Sequence, residues 1–353
     1  MTNSAKKVLV GFSGGADSTA AVLMLRAQGW DVTGLYFSVT GDEKLSENSV
    51  QTVARHLELP IVMKNVSHRF KEIVIKDFCL AYSEGKTPNP CVLCNPEIKF
   101  RILCEEADRQ NISHIATGHY ARIFRDSNGI NYVRKGANTA KDQSYMLYRL
   151  SQSVLSRVLF PLGEVESKED VRIYLESFEL PNARSKDSQD ICFIQDRTYQ
   201  EFLKDRSVEA IPGPFTDREG NILGMHQGIL NYTPGQRKGL GIALGKPVYV
   251  IGINSEDNTV ILGEEAELYR HSVEVRDPIF TAFGASERLP EPYRSIHVDV
   301  KLRYTAKPAA AVLYQDPGER ITIQFDQPQR APAPGQSAVF YQEELILGGG
   351  FIL

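Results

Sequence analysis

Long apolar runs are missing from this chain of 353 residues: no stretch approaches the roughly 20 residues that a membrane-spanning helix needs. The opening Met-Thr-Asn-Ser-Ala-Lys-Lys leads into a strand almost at once, leaving no room for the apolar core of a signal peptide. A cytoplasmic location with no membrane partner is therefore expected. Cysteine is scarce and odd in number, five in all, which fits a reducing compartment and thiol chemistry better than a disulfide framework. Neither sign of charge dominates, and the net charge of −4 gives no hint of a nucleic-acid partner. Internal repeats and low-complexity tracts are absent too, against a solenoid or a disordered tail.

What is present is an ordinary globular composition, 42% hydrophobic and 24% charged, in a chain long enough for two or three domains with separate cores. Charge is uneven locally. Residues 99–157 hold ten Lys or Arg against five Asp or Glu, an excess that fits either a solvated mixed face or a phosphate-tracking surface.

The chain is organised around Gly11-Phe12-Ser13-Gly14-Gly15-Ala16-Asp17-Ser18, directly after the apolar Val8-Leu9-Val10. The order is strand, glycine turn, helix, with the helix expected over 18–28 and closed by Gly29. Paired glycines let backbone N–H groups face inward, and the helix start adds partial positive charge, so the loop suits an anion such as phosphate. No Lys-Ser/Thr pair follows the last glycine, which excludes a Walker A loop. The spacing also fails Gly-x-Gly-x-x-Gly, against a dinucleotide site. By pattern alone, a phosphate site and a plain glycine-rich turn both remain open.

Strands expected over 6–12, 31–38 and 61–66 alternate with helices over 18–28, 46–57 and 69–83, the rhythm of an α/β parallel sheet covered on both faces. Ligands in such sheets sit at the carboxyl ends of strands, where the glycine loop and Phe37 fall. Asn95, Pro96 and Glu97 read as the start of a helix over 96–109, which places Cys94 just before its positive end and favours the thiolate. A strand over 114–118, a hairpin around Asp126-Ser-Asn-Gly129, a helix opened by Lys141-Asp142-Gln143, and a helix ending near Phe178 follow. Ser167 to Asp170 is a near capping box for that last helix. After about Asp196 glycine and proline become frequent. The expected domains are a catalytic domain at 1–196, a small central domain at 197–268, and a small antiparallel β-barrel at 269–353. Ile296, Val298, Val300 and Leu302 alternate onto one face of a strand over 295–304.

Cys79 and Cys104 fall inside helices and read as buried apolar thiols. Cys91, Cys94 and Cys192 need another account. A structural zinc site wants four ligands, and no second Cys-x-x-Cys or paired His supplies them. Three thiolates could hold an iron–sulfur cluster with one iron open. Alternatively one cysteine carries a persulfide that another attacks, which needs only Cys94 and Cys192.

Ser-Gly-Gly-x-Asp-Ser resembles the pyrophosphate loop (PP-loop) of the N-type ATP pyrophosphatases, which split ATP between the α and β phosphates and activate an oxygen with the AMP half. With it, in order, stand Thr-Pro-Asn-Pro-x-x-x-Cys-Asn, Ala-Thr-Gly-His-Tyr-Ala-Arg, Lys-Asp-Gln-Ser-Tyr, Asp-Ser-Gln-x-Ile-Cys-Phe, Gly-Gln-Arg-Lys-Gly-Leu-Gly-Ile and Pro-Gly-Gln-Ser-Ala-Val-Phe-Tyr. The set resembles the tRNA-specific 2-thiouridylases of the MnmA family along essentially the whole chain.

That resemblance implies binding of ATP with Mg²⁺ by Gly11, Phe12, Ser13, Gly14, Gly15, Ala16, Asp17 and Ser18, with Asp17 also catalytic and Phe37 and Gly118 near the nucleotide. It implies Cys94 as nucleophile and Cys192 as persulfide carrier. Asn89, Pro90 and Cys91 would touch the target base, and His119, Lys141, Asp142, Gln143, Arg303, Tyr304 and Gln336 would contact tRNA. The implied partners are a tRNA with a wobble uridine and a sulfur donor such as a cysteine desulfurase or a relay protein. Cys91 stands where the family often has Asp, which raises a second version: Cys91, Cys94 and Cys192 holding a [4Fe-4S] cluster. The loop over 40–47 is shorter than the family's acidic insert, and Ala16 and Pro234 replace branched apolar residues.

Overall fold

Val8, Leu9 and Val10 lose all contact with water, and their alternation divides the first domain into two cores. A computed structural model describes residues 6–41, 44–180, 182–184, 191–194, 197–283, 289, 295–315 and 320–353, with backbone alone at 44–46. Strand β1 (Lys6–Gly11) runs parallel to β2 (Trp30–Ser38), pairing Val8 with Val32 and Val10 with Gly34. With β3 (Ile61–Asn65), β4 (His114–Ala116) and, later in the chain, the short Val158–Leu159 strand, they form a parallel sheet in the order β3-β2-β1-β4 and then that short strand. Leu9 and Leu35 point to a core shared with Phe70, Phe78, Ile98 and Leu103. Val8, Val10 and Val32 point the other way, to Ala20, Val22, Val50 and Val53. Burial on both faces is what continuous apolar strands require.

The first helix is Ala16–Ala27, two residues earlier than expected. The most instructive departure is the helix expected at 96–109. It begins instead at Pro90, with Asn89 as N-cap: Asn89 Oδ1 accepts from Cys91 N at 3.2 Å. Asn89-Pro90 carries the same start signal as Asn95-Pro96, and the earlier copy prevails because the helix absorbs the second proline. It does so by running as a π-helix over Asn95–Phe100 before returning to α over Arg101–Arg109, a register that accommodates the missing N–H. The preceding helical segment, 67–83, has a π stretch of its own at Lys71–Ile75.

The hairpin forms as β5 (Ala121–Arg125) and β6 (Asn131–Lys135), its turn tied by Asp126 Oδ1 to the N–H groups of Asn128 and Ile130. No helix opens at Lys141; there is a single 3₁₀ turn, Ser144–Leu147. The Val158–Leu159 strand is β7, and Ser167 caps the helix Lys168–Glu176 through Glu169 N rather than by a full capping box. A full capping box does occur at Thr198 and Glu201, before the helix Tyr199–Lys204.

The central sheet contains β8 (Gly213–Thr216), β9 (Ile222–His226), β10 (Tyr249–Asn254) and β11 (Thr259–Gly263), in the order β10-β11-β8-β9. Then come β12 (Tyr269–Ile279), β13 (Ser295–Lys301), β14 (Ala309–Gln315), β15 (Ile321–Arg330), β16 (Ser337–Gln342) and β17 (Leu345–Ile352). Their order β12-β15-β14-β13-β16-β17, with β17 pairing back to β12, makes a closed antiparallel barrel of six strands, which leaves no ladder edge open. Val298, Val300 and Leu302 enter its core, with Ile296 packed against it. The strand stops at Lys301, so Arg303 and Tyr304 lie on the turn that follows. An unanticipated link is the pairing of β6 with β17, Leu345 opposite Arg134, which joins the hairpin to the barrel wall. Among the described residues no helix is long and apolar enough to cross a membrane.

Candidate active site at the glycine loop and the cysteine helix

The loop at the carboxyl end of β1 is held open by its own hydroxyls. Ser13 N donates to Ser18 Oγ at 3.3 Å, and Ser18 Oγ donates to Gly15 O at 3.0 Å. Gly14 sits at φ 74°, in the left-handed region that favours glycine. The N-cap of the first helix is Gly15, which offers no side chain, so the first-turn amides remain available to an anion. Phe37 is the penultimate residue of β2, half-buried against the core.

Asp17 is already engaged on both oxygens. Oδ1 accepts from the Tyr120 hydroxyl at 2.9 Å, and Oδ2 pairs with Lys168 Nζ at 3.1 Å. Sequence reasoning missed both partners; Lys168 drew attention only as part of a helix start. Gly118 lies so close that a Cβ there would meet the Asp17 carbonyl at 2.9 Å and Ser18 N at 3.0 Å. His119, the next residue, stacks on Phe100 with ring centroids 5.9 Å apart, and its Nδ1 bonds the Thr117 hydroxyl at 2.7 Å. Burial, with Lys99 adding, pulls the imidazole down to about 3, so it is neutral at ordinary pH. The 117–120 segment therefore touches the glycine loop on one side and the cysteine helix on the other.

On that helix, Cys91 is half-buried and Cys94 is 5% exposed. The expectation of an activated Cys94 is overturned. With the helix starting at Pro90, Cys94 lies a turn inside it and not ahead of its positive end, and burial pushes its thiol up to about 12. Lys99 opposes that rise, while Cys192 and Cys91 add to it. Lys99 is a third residue that sequence reasoning passed over. Burial disfavours its charge more than any other single influence, yet Cys94, Cys91 and Cys192 together hold the ammonium above its ordinary value. The π register explains the meeting. Five residues apart lie nearly on one face at about 4.4 residues per π-turn, but on different faces of an α-helix. Cys79 and Cys104 pack at the edge of the core with thiols raised by burial, in keeping with their reading as apolar thiols.

Cys192 is exposed, but the next residue anchors it: Phe193 is buried edge-on against Phe70 and Phe78 at 5.4 and 5.3 Å. Residues 187–190 of the Asp-Ser-Gln-x-Ile-Cys-Phe motif, the two residues before them, and 42–43 of the shortened loop lie outside the described residues. The three thiols share one electrostatic neighbourhood, yet no three His, Cys, Asp or Glu side chains among the described residues are close enough to hold a metal ion. As placed, Cys91, Cys94 and Cys192 do not fit the [4Fe-4S] alternative.

The residues expected at tRNA divide into two kinds. Asp142 is buried, its carboxylate accepting from Gly136 N, Ser144 N and the Ser144 hydroxyl. Gln143 bonds the Tyr120 backbone in both directions. These two build the loop around Lys141, with the Asp142 carboxylate turned inward. Gln336 Nε2 donates to Thr87 O at 2.7 Å, and Thr87 N donates to Pro334 O at 2.8 Å. The Thr87 hydroxyl also meets that of Thr233 in the central domain at 3.1 Å. Arg303 binds Ala331 O at 2.7 Å and Pro234 O at 3.3 Å, and Tyr304 leans on Tyr145. The segment leading to Asn89, Pro90 and Cys91 is thus clamped by both other domains. Within the locally basic stretch, Arg101 and Arg109 pair with Glu97 and Glu106 of their own helical segment, Arg122 and Arg134 share Glu344, and Arg157 pairs with Asp108.

A parallel sheet with a glycine loop at its switch, followed by a small β domain and a closed barrel, defines a PP-loop protein of the HUP class. Residues 6–196 match the family model described as tRNA methyl transferase HUP domain, 200–264 that of the tRNA methyl transferase PRC-barrel domain, and 285–352 that of the aminomethyltransferase beta-barrel domain. Full-length likeness is narrower. The chain is 42% identical to the tRNA-specific 2-thiouridylase MnmA of Acetivibrio thermocellus over 99% of both chains. It is 40% identical to those of Caldicellulosiruptor saccharolyticus and Clostridioides difficile over 98% of each. The chain belongs to the MnmA family of tRNA-specific 2-thiouridylases, which are tRNA sulfurtransferases.

Proposed function

We propose that this chain makes 2-thiouridine at the wobble position of tRNA, using ATP and a sulfur carried on cysteine. The observation that carries the reading is the 117–120 segment, which packs Gly118 on the glycine loop and His119 on the cysteine helix. It puts an adenylating half and a thiol half at one strand end. The matched family descriptions name methyl transfer and the relatives name thiolation; three thiols sharing one neighbourhood favour sulfur.

In the first step O2 of the uridine attacks the α phosphate of ATP, giving the adenylated base and pyrophosphate. Gly11 to Ser18 hold the departing phosphates with backbone N–H groups, which stabilise charge as it develops. Asp17 is the carboxylate at this loop. Asp17, by giving up its pairing with Lys168, would hold a Mg²⁺ that arrives already bound to nucleotide phosphates, and the ion would neutralise their charge. In the second step the terminal sulfur of a Cys192 persulfide attacks C2 and AMP leaves. The Cys94 thiolate then attacks the Cys192 sulfur, forming a Cys94–Cys192 disulfide and releasing the transferred sulfur with its electron pair on the base. A thiol reductant resets the disulfide, and a cysteine desulfurase or relay protein reloads Cys192. The wobble base reaches the site by leaving its stack, which an anticodon loop permits at small cost. The domain division 1–196, 197–268 and 269–353 fits this division of labour, with Asn89, Pro90, Cys91, His119, Lys141, Arg303, Tyr304 and Gln336 facing or framing the RNA.

The test is iron-free protein supplied with ATP, an unmodified tRNA transcript and a persulfide donor, with AMP and 2-thiouridine measured by mass spectrometry. Both products are expected, and Cys94→Ser or Cys192→Ser should abolish the thiolated base. Turnover that survives both substitutions and consumes an amine would instead identify another PP-loop ligase. Thiolation that appears only after iron and sulfide are restored would overturn the persulfide route.

A further inference from the structure

Asn182 is buried beside the glycine loop, and its amide has an unusual arrangement of partners. Nδ2 donates to Gly14 O at 2.8 Å and to Thr19 Oγ1 at 2.8 Å. The orientation of the amide is fixed by those partners. A carbonyl only accepts, and the Thr19 hydroxyl has committed its proton to Gly15 O at 2.9 Å, so both must receive from the NH₂ group. Oδ1, by contrast, is buried with no partner among the described residues. An unpaired buried acceptor is costly, so the side chain is placed for its two donors.

What those donors hold is the one loop peptide that has no side chain to hold it. Gly14 lies in the left-handed region and Gly15 follows it, so the peptide between them is free of Cβ restraint and prone to rotate. In a planar trans peptide the C=O and N–H point in opposite directions. Drawing the Gly14 carbonyl outward to Asn182 turns the Gly15 N–H inward, towards Ser13 Oγ at a long 3.5 Å. That direction is where an anion in the loop would sit. We propose that Asn182 is a positioning residue for nucleotide binding: it locks the Gly14–Gly15 peptide so that the Gly15 N–H meets a phosphate of ATP. This rests on the reading of the loop as an ATP site but needs neither tRNA nor sulfur.

Affinity for a non-hydrolysable α,β-methylene ATP, measured by calorimetry across about pH 5.5 to 8, tests it in wild type, Asn182→Ala and Asn182→Asp. Asn182→Ala should weaken binding about tenfold, the worth of one well-made hydrogen bond. Asn182→Asp is nearly isosteric but cannot donate when ionised, and its charge would face both the Gly14 carbonyl and the nucleotide. It should bind worst near pH 8 and recover towards wild type as the acid gains a proton, the ratio to wild type at each pH cancelling the titration of the nucleotide itself. A merely structural role would lower melting temperature without this pH-dependent ratio. Equal affinities for all three proteins overturn the proposal. Should the variants fail to fold, hydrogen exchange at the Gly15 amide of wild-type protein decides: slowing on adding the analogue is expected, and no change refutes it. Protein that binds the analogue yet never thiolates tRNA would sink the thiouridylase reading and leave Asn182 untouched.

Discussion

Alkylating the native protein with iodoacetamide near pH 8 tests the protonation and burial of the Cys94 sulfur together, and the pH dependence of the rate separates the two. An ordinary thiol with a value of 9.0 is about one-tenth thiolate at that pH, whereas one pushed up to about 12 holds roughly one part in ten thousand. Protonation alone therefore slows Cys94 about 1,000-fold, and its 5% exposure slows it further. Cys192 is exposed and has no such barrier of access. Peptide mass spectrometry should find Cys192 modified early and Cys94 unmodified until the protein is unfolded. Raising the pH by about two units should speed Cys94 about 100-fold, because it remains far below its own titration point. Lys99→Met should slow it again by removing the charge that opposes the rise. Cys94 labelled within tenfold of Cys192 near pH 8 would refute the argument and restore the helix-start view of this thiol. The expected result means that Cys94 is shielded in the free protein, and the proposed attack requires substrate or persulfide to alter its surroundings first.

Gly118→Ala should reduce ATP-dependent AMP formation more than tenfold, since the added methyl meets the Asp17 backbone at 2.9 Å and cannot be relieved by a rotamer change; unaltered kinetics would mean the loop shifts freely. Glu106 is covered by Arg109, Lys64 and Gln110, which hold its carboxyl down to about 2. A depressed acid stabilises the fold above its unfolded value near 4.5 and loses that contribution as pH falls towards 2. Glu106→Gln should thus cost about 1–3 kcal/mol at neutral pH, discounted because Arg109 is mostly exposed, with the difference vanishing in acid urea melts. His119 is depressed to about 3 by burial and Lys99, so between pH 6.5 and 3 the unfolded chain binds the extra proton and stability declines with acidity. His119→Gln should flatten that part of the stability curve.

Much of the first domain was legible because its signals are local. Three apolar strands, two helices and the glycine turn follow from residue patterns, and each forms within a few residues of where the pattern puts it. The barrel was legible through the alternation of Ile296, Val298, Val300 and Leu302, although its closure by β12 and β17 was not. The errors came where two local signals compete or where partners are distant. Asn89-Pro90 and Asn95-Pro96 both announce a helix, and nothing nearby says that a π turn will let one helix contain both. The Lys141 segment reads as a helix start, but the Asp142 carboxylate instead bonds Gly136 and Ser144 and tightens the chain into a 3₁₀ turn.

The sequence by itself determined the kinds of chemistry on offer: a glycine loop suited to phosphate, three cysteines too few for a zinc cage, and an ordered set of motifs that resembles one family. These depend on residue identity and short spacing, which the chain carries directly. Tertiary structure decided how those groups behave. Only the packed helix could bury Cys94 and raise its thiol, turn Lys99 towards it through the π register, engage both oxygens of Asp17 with Tyr120 and Lys168, and bring Asn182 to the Gly14 carbonyl. Burial, electrostatic coupling and hydrogen bonding act between atoms brought together from distant positions, and no local pattern encodes those distances.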